Sequence, residues 1–136
     1  MTGNWRCTLD VKGRLAVPSK LRSELGERFH VTKGAEGCLT AYSDESWREM
    51  SERIKTYPSA RQRVLRRMLF ASAATCEPDA QGRILIPKEL RDYAGLGKDV
   101  TFIGVDESAE IWDTAKWEAF NESLTADDLA AALDEI

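Results

Sequence analysis

Asp10-Val-Lys-Gly-Arg-Leu-Ala-Val-Pro-Ser-Lys-Leu-Arg22 and Asp79-Ala-Gln-Gly-Arg-Ile-Leu-Ile-Pro-Lys-Glu-Leu-Arg91 are two versions of one motif, separated by 69 residues. Asp, Gly, Arg, Pro, Leu and Arg recur at matched positions. The match runs backward to Cys7 with Cys76, and forward to Gly26 with Gly95 and Val31-Thr32 with Val100-Thr101. A one-residue insertion then moves the offset to 70, pairing Tyr42 with Trp112, Trp47 with Trp117, Met50 with Phe120 and Ile54 with Leu124. An internal repeat constrains the whole fold before any single element does. Each copy is roughly 45 to 50 residues, a size at which a lone module buries too little surface to be stable. The copies are therefore expected to pack on each other.

Within a copy, Asp10 suits the start of a turn and Gly13 suits positive φ, so Asp-x-x-Gly predicts a tight hairpin whose tip carries Lys12 and Arg14. A strand over Leu15 to Val17 follows. Pro18 and Pro87 suit the first position of a short helix, and Gly26 and Gly95 its C-terminal cap. Phe29 to Thr32 and Cys38 to Tyr42 flank the turn from Gly34 to Gly37, a second hairpin, with Val100 to Val105 and Glu110 to Trp112 as its counterpart. Ser43 and Asp113 are N-cap candidates for helices with core stripes Trp47, Met50, Ile54 and Trp117, Phe120, Leu124. Between the copies, Ser59 to Phe70 reads as a helix with Val64, Leu65, Met68 and Leu69 on one face and Arg63, Arg66 and Arg67 opposite. The arginines suit a solvated face or DNA backbone. Thr125 to Ile136 reads as an acidic terminal helix with Leu129, Ala132 and Leu133 on one side. The resulting division is a first module over 1–56, a linking helix over 57–70, a second module over 71–124 and an acidic tail over 125–136.

Of the 136 residues, 43% are hydrophobic and 31% charged, the balance of a folded globular protein. No apolar run reaches the roughly 20 residues that span a bilayer, and MTGNWRCTLD is no secretory signal, so a cytoplasmic location is expected. Three cysteines (Cys7, Cys38, Cys76) without C-x-x-C spacing indicate neither a disulfide framework nor a zinc knuckle, and are read as buried small residues. The net charge of −4 conceals a division. Residues 1–70 hold 14 of the 19 Lys and Arg and 8 of the 23 Asp and Glu, a balance of +6; residues 71–136 hold 5 and 15, a balance of −10. This pattern fits a basic face for phosphates, or opposite halves that attract within or between chains.

Enzymatic chemistry finds little support. His30 is the single histidine, in a predicted strand, where a structural role suffices. Neither a G-x-x-x-x-G-K-[ST] nor a G-x-G-x-x-G phosphate loop occurs. Asp10 and Asp79 suit turn initiation and pairing with Arg14 and Arg83 better than acid and base work. No cofactor, metal or small-molecule substrate is expected.

Asp10 to Arg14 and Asp79 to Arg83, each with Gly before the Arg and Pro four residues after it, resemble the doubled motif of the MraZ family. L-D-x-K-G-R-L-x-V-P-x-K-L-R, D-x-x-G-R-I-L-I-P and the later I-W-D carry the resemblance over nearly the whole chain. It implies an α+β fold of two tandem AbrB-like swapped-hairpin modules related by an internal pseudo-two-fold. It also implies a nucleoid-associated transcription regulator of the division and cell-wall gene cluster, assembled as a ring-shaped homo-oligomer on double-stranded promoter DNA with repeated boxes. Lys12, Arg14 and Arg83 are the DNA-contact candidates. Gln81 stands where the first copy has Lys12, so the first tip is the more basic. The rival reading is an AbrB-like antitoxin or structural protein-interaction module.

Overall fold

Strand pairing in the computed structural model, which describes residues 1–136, crosses between the two copies. The first copy supplies β1 (Thr2–Thr8), β2 (Arg14–Ala16), α1 (Ser19–Leu25), β3 (Phe29–Lys33), β4 (Leu39–Ser43) and α2 (Asp44–Ile54). The linker is α3 (Ser59–Leu65), continued as a π-helix over Arg66–Phe70. The second copy supplies β5 (Ala74–Cys76), β6 (Arg83–Leu85), α4 (Lys88–Ala94), β7 (Asp99–Val105), β8 (Ala109–Asp113) and α5 (Thr114–Ser123), and α6 (Ala126–Leu133) ends the chain. One antiparallel sheet has the order β1-β7-β8-β4-β3-β5; a second ribbon holds β2 and β6 alone. None of the helices is long and apolar enough to cross a membrane.

Each copy keeps its own second hairpin, β3–β4 or β7–β8, and lends its first strand to the other copy's hairpin. The exchange is reciprocal: Cys7 of β1 lies opposite Val100, and Cys76 of β5 opposite Phe29. In the middle, β4 meets β8 with Leu39 opposite Ile111, Thr40 opposite Glu110 and Ala41 opposite Ala109, so the pseudo-two-fold passes through the Thr40–Glu110 pair. The fold is α+β, with tandem modules interleaved as the swapped-hairpin reading implies.

The Asp-x-x-Gly turns close as expected, but the strands beyond them diverge. β1 pairs with β7 and β2 with β6, so neither turn joins a two-stranded local hairpin. Pro18 and Pro87 end the ribbon strands after three residues and sit at the N-caps of α1 and α4, one position before the helices begin. Lacking an N–H, proline costs a helix start nothing there. Gly26 (φ +91°) and Gly95 (φ +60°) terminate these helices. Ser43 Oγ accepts from the Ser46 N–H, and Asp113 Oδ2 from the Lys116 N–H, capping α2 and α5.

Register corrects the alignment in the third strand. Phe29 pairs with the N-cap Ser43 and Val100 with the N-cap Asp113, so Phe29 corresponds to Val100 and Val31 to Phe102, two residues from the sequence match of Val31 with Val100. The second copy has two extra residues after Gly95. A consequence is that His30 and Thr101 are equivalent. His30 Nε2 lies 2.6 Å from Asp44 Oδ1, while Thr101 Oγ1 lies 2.9 Å from Thr114 Oγ1, the same tie in neutral form. His30 is structural, stacked on Trp47 at 5.0 Å.

The core joins the ribbon to the main sheet through Leu15, Ile84, Leu21, Leu90, Phe29, Phe102 and Ile111, all buried. Burying one such side chain contributes about 1.5–3 kcal/mol. Three expected packing positions lie outside it. Val64 and Met68 are exposed, leaving Leu65 and Leu69 as the half-buried side of the linker, which winds as a π-helix from Arg66. Leu124 follows α5 in extended backbone and is also exposed. Cys38 and Cys76 are buried and Cys7 half-buried.

Candidate nucleic-acid interface

An aspartate followed two and four residues later by free backbone N–H groups forms an Asx turn, and both copies build one. Asp10 Oδ1 accepts from the N–H of Lys12 and of Arg14, each at 2.9 Å, and Oδ2 accepts from Arg14 Nε at 2.7 Å. Asp79 Oδ1 accepts from Gln81 and Arg83 N–H, also at 2.9 Å, and Oδ2 from Arg83 Nε at 3.1 Å. The backbone N–H of Arg14 or Arg83 is the leading cause that holds each carboxyl below the ordinary aspartate range. Gly13 (φ +81°) and Gly82 (φ +76°) complete the turns in the left-handed region.

The ribbon turns these residues outward. Leu15 lies opposite Ile84, both buried, so alternation sends Arg14, Ala16, Arg83 and Leu85 to the other face. Arg14 opposes Leu85 and Arg83 opposes Ala16. The two arginines thus occupy diagonal corners of one solvent-facing surface, roughly 7 Å apart along the strand direction at 3.4 Å per residue. Their side chains are 32% and 31% exposed. Each uses its Nε on the carboxylate, which orients the planar guanidinium and leaves its Nη groups without a hydrogen bond inside the chain. Lys12 lies exposed at the first turn, with Gln81 at the second.

Two further arginines complete the surface, and the sequence reading gave them no role. Val17 N–H donates to Gly82 O at 2.9 Å and Ile86 N–H to Gly13 O at 2.8 Å, stitching each turn to the other copy. This brings the guanidinium of Arg22 over Gly82 and that of Arg91 over Gly13. Arg22 Nε donates to Val17 O at 3.0 Å; Arg91 Nε is buried without a partner. The signal was present, since Arg22 and Arg91 are matched positions in the repeat. Each end of the ribbon accordingly holds two arginines from different copies and one aspartate. Among these three residues each end carries one more positive than negative charge, on a chain whose net charge is −4. Guanidinium groups held in this way suit bidentate contact with phosphate or with guanine O6 and N7.

The family model described as "MraZ protein, putative antitoxin-like" matches residues 1–66 and again 69–135. A protein named transcriptional regulator MraZ from Acetivibrio thermocellus is 46% identical over 132 residues, 94% of this chain and 92% of its own length. Proteins of the same name from Thermoanaerobacter pseudethanolicus and Lachnoclostridium phytofermentans are 43% and 46% identical, over 100% and 98% of this chain and 98% and 94% of their own lengths.

Proposed function

The chain belongs to the MraZ family, and from that premise we propose that it is a sequence-specific, DNA-binding transcription regulator without enzymatic activity. The observation that carries this reading is the dyad-related pair Arg14 and Arg83 on the exposed face of a two-stranded ribbon. A two-stranded ribbon fits the major groove, and a two-fold pair of readers suits duplex DNA. Arg14 and Arg83 are the principal contacts, Lys12 adds a point charge beside the first, and Arg22 and Arg91 support the phosphate-facing charge. The repeat units 1–56 and 71–124, joined by 57–70 and followed by 125–136, act as one reading head.

The same reading has the chain work as a homo-oligomer, a ring in the family pattern, so that several heads engage repeated boxes and weak contacts gain avidity. The target is the promoter of its own division and cell-wall gene cluster, and the setting is the nucleoid in the cytoplasm. A gel shift of purified protein on that promoter, with scrambled DNA as control, tests the proposal. Selective binding is expected, with a log-log salt slope of about −0.9 per phosphate neutralised. Equal binding to both DNAs would defeat sequence specificity.

A second reading, a protein-binding module of antitoxin type, is favoured by the family description and by the exposed apolar stripe of α6. It predicts no operator selectivity and no effect of Arg14 on partner binding.

A further inference from the structure

We propose that α6 of one chain docks on the exposed face of α3 and its π-helical continuation in a second copy, so that chains associate head to tail. The proposal deepens the self-association reading above and rests on it.

Every residue from Leu124 to Ile136 is exposed, although α6 is well formed. Its capping box is complete: Asp128 N–H donates to Thr125 Oγ1 at 3.1 Å, and Thr125 N–H to Asp128 Oδ2 at 2.9 Å. Leu129 (60% exposed), Ala132, Leu133 (54%) and Ile136 recur at i, i+3, i+4 and i+7, with Asp127, Asp128, Asp134 and Glu135 around the other side. An isolated helix of eight residues is marginal in water without a packing partner. On the linker, Val64 (60%) and Met68 (46%) form a second unpartnered apolar pair with the same i, i+4 spacing. Arg63, Arg66 and Arg67 stand on the same helix, exposed and absent from the chain's ion pairs.

These faces do not meet within one chain. The π-helical segment packs on β3, whereas α5, which carries α6, packs on β7 and β8 in the other half of the sheet. The internal repeat explains the complementarity. α6 follows α5 as α3 follows α2, so the two helices are counterparts with opposite charge. Pairing α6 with α6 would oppose acids, and α3 with α3 would oppose arginines. Only acidic against basic joins both apolar pairs with attraction, and equal i, i+4 ridges can interdigitate. Such an interface uses different patches on the two chains, and therefore closes into a ring or propagates.

Two full-length variants test this. Leu129→Asp/Leu133→Asp disables the α6 face and Val64→Asp/Met68→Asp the linker face. All four side chains are exposed, so each variant should still fold and unfold in a single cooperative transition. Light scattering should give a multiple of 15.2 kDa for wild type and a single chain for each variant. Mixed in equal amounts, the variants should form a two-chain complex and stop there, since one retains a good α6 and the other a good linker. Variants that keep the wild-type mass would overturn this interface while leaving self-association intact. A mixture that remains monomeric would overturn the head-to-tail arrangement, and a monomeric wild type would overturn the self-association reading with it.

Discussion

Arg22 of the first copy closes over Gly82 of the second: a Cβ built on Gly82 would stand 2.7 Å from the Arg22 guanidinium carbon. Arg91 stands in the same relation to Gly13, at 3.0 Å. Each turn glycine answers two demands, positive φ and close approach of a cation from the other copy. Arg14 and Arg83 directly follow these glycines, so the guanidinium of one copy packs against the turn that presents the solvent-facing arginine of the other.

Gly82→Ala should destabilise the fold by about 1–2 kcal/mol through its left-handed backbone alone. The displaced Arg22 adds a contribution that Arg22→Ala removes. Urea unfolding of both single variants and the double should therefore show coupling of about 0.5 kcal/mol or more. Strictly additive losses would mean that the guanidinium does not bear on the turn.

Arg14→Ala should leave melting temperature and oligomer mass close to wild type, because a single ion pair at the edge of solvent contributes little. It should weaken operator binding by about 1–3 kcal/mol per lost base contact. Arg83→Ala should act in the same direction and less strongly, since Gln81 replaces the lysine of the first turn. Asp10→Ala removes an acceptor of three hydrogen bonds and should lower the melting temperature more than Arg14→Ala does. Wild-type operator affinity in both arginine variants would sink the proposed contacts.

Acid should unfold the protein through these turns. Asp10 and Asp79 titrate below the ordinary value of 3.8, chiefly because backbone N–H groups stabilise the carboxylate; Asp44 does so chiefly through its hydrogen bond from His30. The folded state binds fewer protons than the unfolded chain, so their contribution is present above pH 3.8 and is lost as pH falls below it. Denaturation curves from pH 6 to about pH 2.5 should show stability falling at the acid end. Asp10→Asn/Asp79→Asn should make that fall shallower, and an unchanged slope would contradict the assignment.

Burial pushes the Cys38 thiol up to about 12, helped by the charges of Glu110 and Glu36, and the Cys76 thiol up to about 11. Cys7 is raised as well but lies half-buried. A thiol reagent at about pH 8 should label Cys7 first in the native protein and all three cysteines after denaturation. Rapid native labelling of Cys38 or Cys76 would contradict their burial.

The amino-acid sequence determined the parts of this protein that depend on near neighbours. Asp-x-x-Gly-Arg specified both turns, Ser43 and Asp113 specified their helix starts, and the apolar runs on either side of the Gly34 to Gly37 turn, with Val100 to Val105 and Glu110 to Trp112, specified two hairpins. These features arise from backbone preference and side chains a few residues apart, so a short window contains their cause. Tertiary structure alone decided that β1 joins β7 and β5 joins β3, that Phe29 rather than Val31 corresponds to Val100, and that Arg22 and Arg91 reach across to Gly82 and Gly13. It also decided that Val64 and Met68 face solvent. Hydrogen-bond partners some 95 residues apart in β1 and β7 leave no periodic trace in either segment. They are selected by which pairing buries Leu15, Ile84, Phe29 and Phe102 together, a property of the whole chain.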